Sequence, residues 1–259
     1  SYMESVMWAC KTLWEKGLVY EGQRVMPYSW KMQTPVSNFE TRIDDATRPR
    51  QDPAVTVKFR LHPRDGDPGP IDVLVWTTTP WTLPSNLALA VGPDIDYAIV
   101  HEGGAHYLLG ADTGAGYQKE PDGFEEGRRL KGKDLVGRTY EPMFPYFREH
   151  PRSFRVLAGD FVDTAEGTGV VHMAPGFGED DQKVCEANGI ELVCPVDDKG
   201  EFTSEVPDFE GQLVFDANKP IIKLLKERSI LLRHVTYEHN YPHCWRKREP
   251  LMSKALPGA

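Results

Sequence analysis

Six uncharged side chains that can both give and take hydrogen bonds fall in one short stretch, Trp76-Thr77-Thr78-Thr79-Pro80-Trp81-Thr82-Leu83-Pro84-Ser85-Asn86. They are Thr77, Thr78, Thr79, Thr82, Ser85 and Asn86. Pro80 and Pro84 stiffen the backbone and hold it to an extended or turning path. Hydroxyls on a rigid loop suit an ester, a ribose hydroxyl or a bound water. A triphosphate would ask for glycines and a lysine, which this stretch lacks. The same hydroxyls can instead close on their own backbone at the end of a threonine-rich strand, and composition leaves both uses open. Trp76 and Trp81, on either side of the threonines, favour a pocket.

A second candidate is Gly167-Thr168-Gly169-Val170-Val171-His172-Met173-Ala174-Pro175-Gly176-Phe177-Gly178-Glu179-Asp180-Asp181. A glycine turn opens an apolar strand that ends at His172, and a Pro/Gly loop then runs into an acidic helix start. Carboxylates in a first helical turn are favoured by free N–H groups and by the helix dipole, so capping accounts for any one of the three acids. Three exceed what one cap requires. One that points into a cleft could pair with a cationic amine, and His172 could line the same cleft or be structural.

Other chemistries find no support. The sequence has no G-x-S-x-G, H-E-x-x-H, Walker-type or dinucleotide-type glycine motif. Cys185, Cys194, His243 and Cys244 do not follow a zinc spacing, so no metal and no cofactor are expected. The four cysteines form no CxxC pair, which fits a reducing cytoplasm. No apolar run is long enough to span a bilayer. The net charge is −9 over 259 residues, which argues against binding nucleic acid by general attraction. The charge is uneven, however: residues 211–259 carry +5 and residues 1–210 carry −14, so a nucleic-acid partner would meet the C-terminal portion more readily.

These residues need a scaffold. Met3, Val6, Met7, Cys10, Leu13 and Trp14 recur at helical spacing, predicting an amphipathic helix over 3–16 that stops at Gly17. Residues 17–40 lack a period and read as a connecting segment. Val55, Val57, Phe59 and Leu61 alternate with polar residues as a half-buried strand does. Further strands are expected at 72–77, 97–101, 107–110, 155–162, 169–172 and 230–236, with helices at 179–188 and 216–228. The Gly/Asp/Glu-rich tract 103–129 is expected to be a mobile loop. The fold class is therefore α+β, a β-barrel-like domain with peripheral helices.

The threonine stretch, the Gly167–His172 stretch and Gly178-Glu179-Asp180-Asp181 together resemble the editing (CP1) insertion of isoleucyl-tRNA synthetases. The flanks agree, at Gly17–Tyr20, Met26–Ser29, Thr34–Glu40 and Tyr241–Arg246, so the resemblance covers nearly the whole chain. It implies an outgoing connecting segment at 1–45, the editing domain at 46–236 and a return segment at 237–259, toward the rest of the synthetase. Signatures of the synthetic site are missing, and Met252-Ser253-Lys254 reads as part of the return segment. Met173 departs from the family pattern, in which a polar residue follows the histidine.

The resemblance further implies hydrolysis of valine from isoleucine tRNA and leaves open whether valyl-adenylate is a further substrate. A second pocket is needed because one methylene changes binding by only about 1–3 kcal/mol, a limit for which isoleucyl-tRNA synthetase is itself the standard illustration. By the match of motifs, Asp181 would hold the α-ammonium and His172 would border the valine side chain. Thr77, Thr78, Thr79 and Thr82 would surround the ester and terminal adenosine, with Asn86 and Trp81 beside them. Thr79, His172 and Asp181 are the candidate catalytic set. A valyl- or leucyl-type editing domain, and a non-catalytic module that binds the tRNA 3′ end, stand as alternatives.

Overall fold

The alternating stretch around Val55 is the inner half of a much longer strand. The computed structural model describes residues 1–117 and 125–258. In chain order it begins with α1 (Tyr2–Glu15), β1 (Gly22–Ser29), β2 (Thr34–Pro35), β3 (Thr47–Arg60) and β4 (Ile71–Thr77). Then come β5 (Ala88–Val91), β6 (Asp96–Glu102), β7 (Ala105–Gly110), β8 (Glu125–Lys131), β9 (Arg155–Ala158) and β10 (Val170–Met173). The chain continues through α2 (Glu179–Ala187), α3 (Val214–Glu227), β11 (Leu231–Pro242) and β12 (Met252–Gly258).

A six-stranded sheet has the order β11-β3-β4-β7-β6-β8, antiparallel except between β4 and β7. Two three-stranded sheets accompany it, β10-β5-β9 and β12-β1-β2. Among the described residues no sheet closes into a ring, so the expected barrel-like body is a mixed α+β domain of open sheets. One apolar core joins them. Val55, Val57 and Phe59 of β3 and Val73 and Val75 of β4 meet Leu89 and Val91 of β5, Leu157 of β9 and Val170 of β10. The same core takes Cys185 from α2 and Ile221 and Leu225 from α3, which cover it from outside.

Several elements run beyond what periodicity predicts. β3 and β11 pair from Val57 and Leu231 out to Thr47 and Pro242, and the outer half of this ribbon sets Arg48, Arg50 and Gln51 beside Tyr241, His239 and Glu238. A polar two-stranded arm carries no apolar alternation, so only its inner end was visible. β5, Ala-Leu-Ala-Val, is buried along its whole length as the middle strand of its sheet, and a four-residue apolar run leaves no period to read. Residues 17–40, expected to be a connection, contain β1 and β2. β1 pairs antiparallel with β12 from Gly22↔Gly258 to Tyr28↔Met252. Lys254 is buried in β12, and its ammonium donates to the Asp197 carbonyl (2.8 Å) and to Asp198 Oδ1 (2.9 Å).

The tract 103–129, expected to be a mobile loop, contributes all of β7, a 3-10 turn at Ala111–Gly116 and the start of β8, and its residues 118–124 lie outside the described residues. The predicted N-terminal helix forms, started by a capping box between Ser1 and Glu4, but none of its residues is buried. Met7 and Trp8 are 69% and 70% exposed, so among the described residues nothing covers the apolar side of α1. Among the described residues no helix is long and apolar enough to cross a membrane.

Candidate active site

β4 ends at Thr77, and the chain passes through Thr78 and Thr79 into a 3-10 turn, Pro80–Ser85. Proline at the first position of this turn suits it, because a helical N-terminus needs no N–H there. The turn is pinned from behind by Trp81, which is 3% exposed. Its ring packs edge-on against Phe177 (4.9 Å) and Phe215 (6.3 Å), and its backbone N–H donates to Asn218 Oδ1 of α3 (3.0 Å). Trp81 therefore bears on the site by fixing the turn. Trp76, on the other side of the threonines, lines a cavity.

After the turn, β5 pairs antiparallel with β10, His172 opposite Leu89 and Met173 opposite Ala88. This register brings the two candidate stretches into contact. His172 Nε2 lies 2.9 Å from Thr82 Oγ1, and its Nδ1 lies 2.8 Å from the amide nitrogen of Asn86. Strand alternation sends Met173 to the opposite face, where it is wholly buried in the core. The polarity of the wall around His172 is thus independent of the Met173 departure.

The threonines form a linked set. Thr77 Oγ1 lies 3.2 Å from Thr79 Oγ1 and accepts from the Thr79 N–H at 3.1 Å. Thr79 Oγ1 lies 3.3 Å from Thr82 Oγ1, and the Thr82 hydroxyl donates to the Thr79 carbonyl at 2.9 Å. Part of the hydroxyl capacity therefore does close on the local backbone, as composition allowed. Thr77, Thr82, Asn86 and His172 are buried, whereas Thr78 and Thr79 reach the surface.

Thr77 and Thr78 also line a cavity of about 280 Å³ with Trp76, Phe161 and the Gly167–Val171 segment. Gly167 and Gly169 both have φ of +73°, which an L side chain rarely adopts, and a Cβ on Gly167 would press on Trp76 at 3.2 Å. The turn is held from below by Tyr97, whose hydroxyl donates to the Gly169 carbonyl (2.6 Å) and accepts from the Gly92 N–H (3.0 Å). His172, Asn86 and Asp181 lie outside this cavity's lining.

The three acids at the start of α2 separate by role. Glu179 and Asp180 are exposed and share Lys183, at 3.0 and 3.8 Å. Asp181 folds back over the helix start, and its Oδ2 accepts from the Ala174 N–H at 2.8 Å, two residues after His172. A Cβ on Gly178 would sit 2.6–2.8 Å from the Asp181 carboxyl atoms, so any larger residue there would displace that carboxyl. Although the residue keeps some surface, burial pushes its carboxyl up to about 6. The Ala174 N–H opposes that rise and the neighbouring Asp180 adds to it. Burial pushes the His172 imidazole the other way, down to about 3, so it is neutral near pH 7.

Sequence reasoning missed Tyr140 and Asn218. Tyr140 is fully buried, and its hydroxyl donates to Asn86 Oδ1 at 2.6 Å. It comes from a stretch with no periodic signal, so only the fold brings it here. Asn218 lies on the buried face of α3, where the 3.6-residue spacing was visible but the partner of its amide was not. Among the described residues no group of three or more His, Cys, Asp or Glu side chains could hold a metal.

This architecture and these motifs have known counterparts. The family model for class I tRNA synthetases of the I, L, M and V group matches residues 1–248, and the chain belongs to that family. An isoleucine–tRNA ligase of Rickettsia conorii is 57% identical over 263 residues, covering 99% of this chain and 24% of that protein. That of Rickettsia bellii is 50% identical over 304 residues, covering 99% of this chain and 27% of the relative. The chain therefore spans about a quarter of the length of these relatives. Among solved structures it is similar to GlLeuRS-CP1, with a TM-score of 0.56 at 14% identity, covering 70% of this chain and 98% of that one. The P. knowlesi cytosolic leucyl-tRNA synthetase editing domain gives 0.50 at 11% identity, covering 73% and 97%. Within the family, then, the sequence is similar to isoleucine–tRNA ligases and the fold is that of a CP1 editing domain.

Proposed function

We propose that this chain hydrolyses the ester joining valine to the 3′ end of isoleucine tRNA and largely spares isoleucine. The observation that carries the proposal is the contact of His172 with Thr82 and Asn86, which unites the two candidate stretches in one uncharged polar network, with the Asp181 carboxyl fixed a few residues away. At neutral pH the Asp181 carboxylate pairs with the substrate's α-ammonium, which selects an aminoacyl ester over an uncharged tRNA end or a free nucleotide. Thr77, Thr78 and the adjoining cavity receive the terminal adenosine, and Thr79 and Thr82 border the ester. His172 borders the amino-acid side chain.

No side chain in this set is an activated nucleophile. A positioned water therefore attacks the ester carbonyl carbon, the bond from that carbon to the ribose oxygen breaks, and the proton released by water passes to the ribose oxygen. The products are valine and uncharged tRNA. An aminoacyl ester is already reactive, so orientation and fixed dipoles supply the acceleration. Residues 1–45 and 237–259 are the outgoing and return segments toward the rest of the synthetase, a reading supported by the antiparallel pairing of β1 with β12.

The test is a deacylation assay on isoleucine tRNA carrying valine or isoleucine, at saturating tRNA. Release of valine well above release of isoleucine is expected. Equal rates, or no release of valine, would refute the assignment. Binding of the tRNA 3′ end without release would favour a non-catalytic module, and clearance of a different mischarged amino acid a valyl- or leucyl-type domain.

A further inference from the structure

Tyr140 poses a question of its own. Its ring packs edge-on against Phe59 (5.3 Å) and Phe154 (6.1 Å) inside the core. Phenylalanine would fill that space as well, without the cost of burying a hydroxyl. The hydroxyl is instead committed to a single acceptor, Asn86 Oδ1.

That bond and the Ala88 carbonyl, which can only accept, together fix the sense of the bonds that follow as far as Thr82. A phenol O–H donating to Oδ1 leaves the Asn86 NH₂ to donate, and its two hydrogens go to the Ala88 carbonyl (2.9 Å) and to His172 Nδ1 (2.8 Å). An imidazole that accepts at Nδ1 and is neutral carries its proton on Nε2. Nε2–H therefore donates to Thr82 Oγ1, whose own hydrogen goes to the Thr79 carbonyl. The chain has one direction, from the buried phenol to the threonine turn. With its own proton committed, Thr82 can only accept from its neighbours. Thr79, whose hydroxyl lies 3.3 Å from Thr82 Oγ1 and 3.2 Å from Thr77 Oγ1, can donate to either, so the fixed sense ends at Thr82.

We infer that Tyr140 is a positioning residue: the buried end of a one-way hydrogen-bond chain through Asn86 and His172 to Thr82 that holds His172 in the Nε2–H tautomer. The inference rests on the proposed editing role for its consequence, since a Thr82 hydroxyl held between His172 and the Thr79 carbonyl keeps the threonine turn beside the ester in one arrangement. The tautomer itself does not depend on that role.

The experiment uses this chain labelled with ¹⁵N in its histidine rings, together with the Tyr140→Phe variant. Nitrogen shifts separate the Nε2–H, Nδ1–H and doubly protonated forms, and His172 is assigned by its loss in His172→Gln. Unmodified chain should show His172 as Nε2–H alone at neutral pH. Tyr140→Phe should mix the tautomers and lower kcat for deacylation about tenfold, roughly the worth of one lost orienting hydrogen bond, with KM nearly unchanged. Should Tyr140→Phe fail to fold, Asn86→Asp supplies the second arm. Its carboxylate can only accept, so the proton must move to Nδ1. An Nδ1–H or doubly protonated His172 in the unmodified chain would overturn the inference, as would an unchanged tautomer in Tyr140→Phe or in Asn86→Asp. Loss of valine-ester hydrolysis by the unmodified chain would instead count against the editing role and leave the tautomer result standing.

Discussion

Replacing Asp181 by asparagine should make the chain more stable and, at the same time, inactive. The carboxyl has an ordinary value of 3.8 and is pushed up to about 6, chiefly by burial, so in the folded chain it holds its proton more tightly than in the unfolded chain. A raised acid contributes stability that is complete below 3.8 and is lost as pH rises through about 6. The full cost of ionising it in place is on the order of 2–3 kcal/mol above pH 6, and less than about 1 kcal/mol near pH 4. Asparagine keeps the oxygen that accepts from the Ala174 N–H but never carries the charge. Urea unfolding of both chains between pH 4 and pH 8 should therefore show a stability difference that is small at pH 4, grows through pH 6 and then levels off. In the same range, hydrolysis by the unmodified chain should follow the ionised fraction, about 90% at pH 7 and about 10% at pH 5, and Asp181→Asn should have none. A stability difference that stays flat with pH, or an asparagine variant that still clears valine, would refute the assignment of Asp181 as a buried, substrate-binding anion.

Two further outcomes follow from contacts around the same carboxyl and imidazole. Gly178→Ala should leave the helix intact, since φ is −131° there, but its Cβ would meet the Asp181 carboxyl at 2.6–2.8 Å and displace it. The expected result is a rise in KM for the valyl ester of about tenfold or more, with a melting temperature within a few degrees of the parent. His172→Ala removes the ring expected to border the valine side chain and should allow release of isoleucine from its own tRNA, measured in the same deacylation assay. If the variant still spares isoleucine, the ring is not the steric limit.

The parts of the site that were legible in the sequence are those carried by local chemistry. The threonine stretch, the strand ending at His172 and the acidic helix start each show their character over a few neighbouring residues. Only the resemblance singles out one of the three acids, and the structure separates them by surroundings: Glu179 and Asp180 are tied to Lys183 at the surface, and Asp181 folds inward. What could not be read was set by pairing at long range. β5 has no period of its own, β12 acquires its strand character from β1, and Tyr140 reaches Asn86 across a separation of 54 residues. Barrel closure was likewise beyond the pattern. Many short strands are compatible with a ring or with open sheets, and the choice lies in which edges pair.

One physical cause, burial, acts on both titratable groups of the site and pushes each toward its neutral form. The consequences differ because the two start from opposite sides of neutrality. His172, lowered to about 3, is uncharged at every pH at which the chain would work, and both its nitrogens are already bonded. It has neither a proton to release as a cation nor a lone pair free to act as a base. Asp181, raised to about 6, stops short of pH 7 and remains an anion. Around His172 the site therefore presents one negative charge, Asp181, and a set of neutral, oriented dipoles, while Asp163 and Glu166 stand on the wall of the adjoining cavity. That combination suits a ligand with one positive charge and a bond already prone to hydrolysis. A substrate that needed a strong base or an activated nucleophile would find none among these residues.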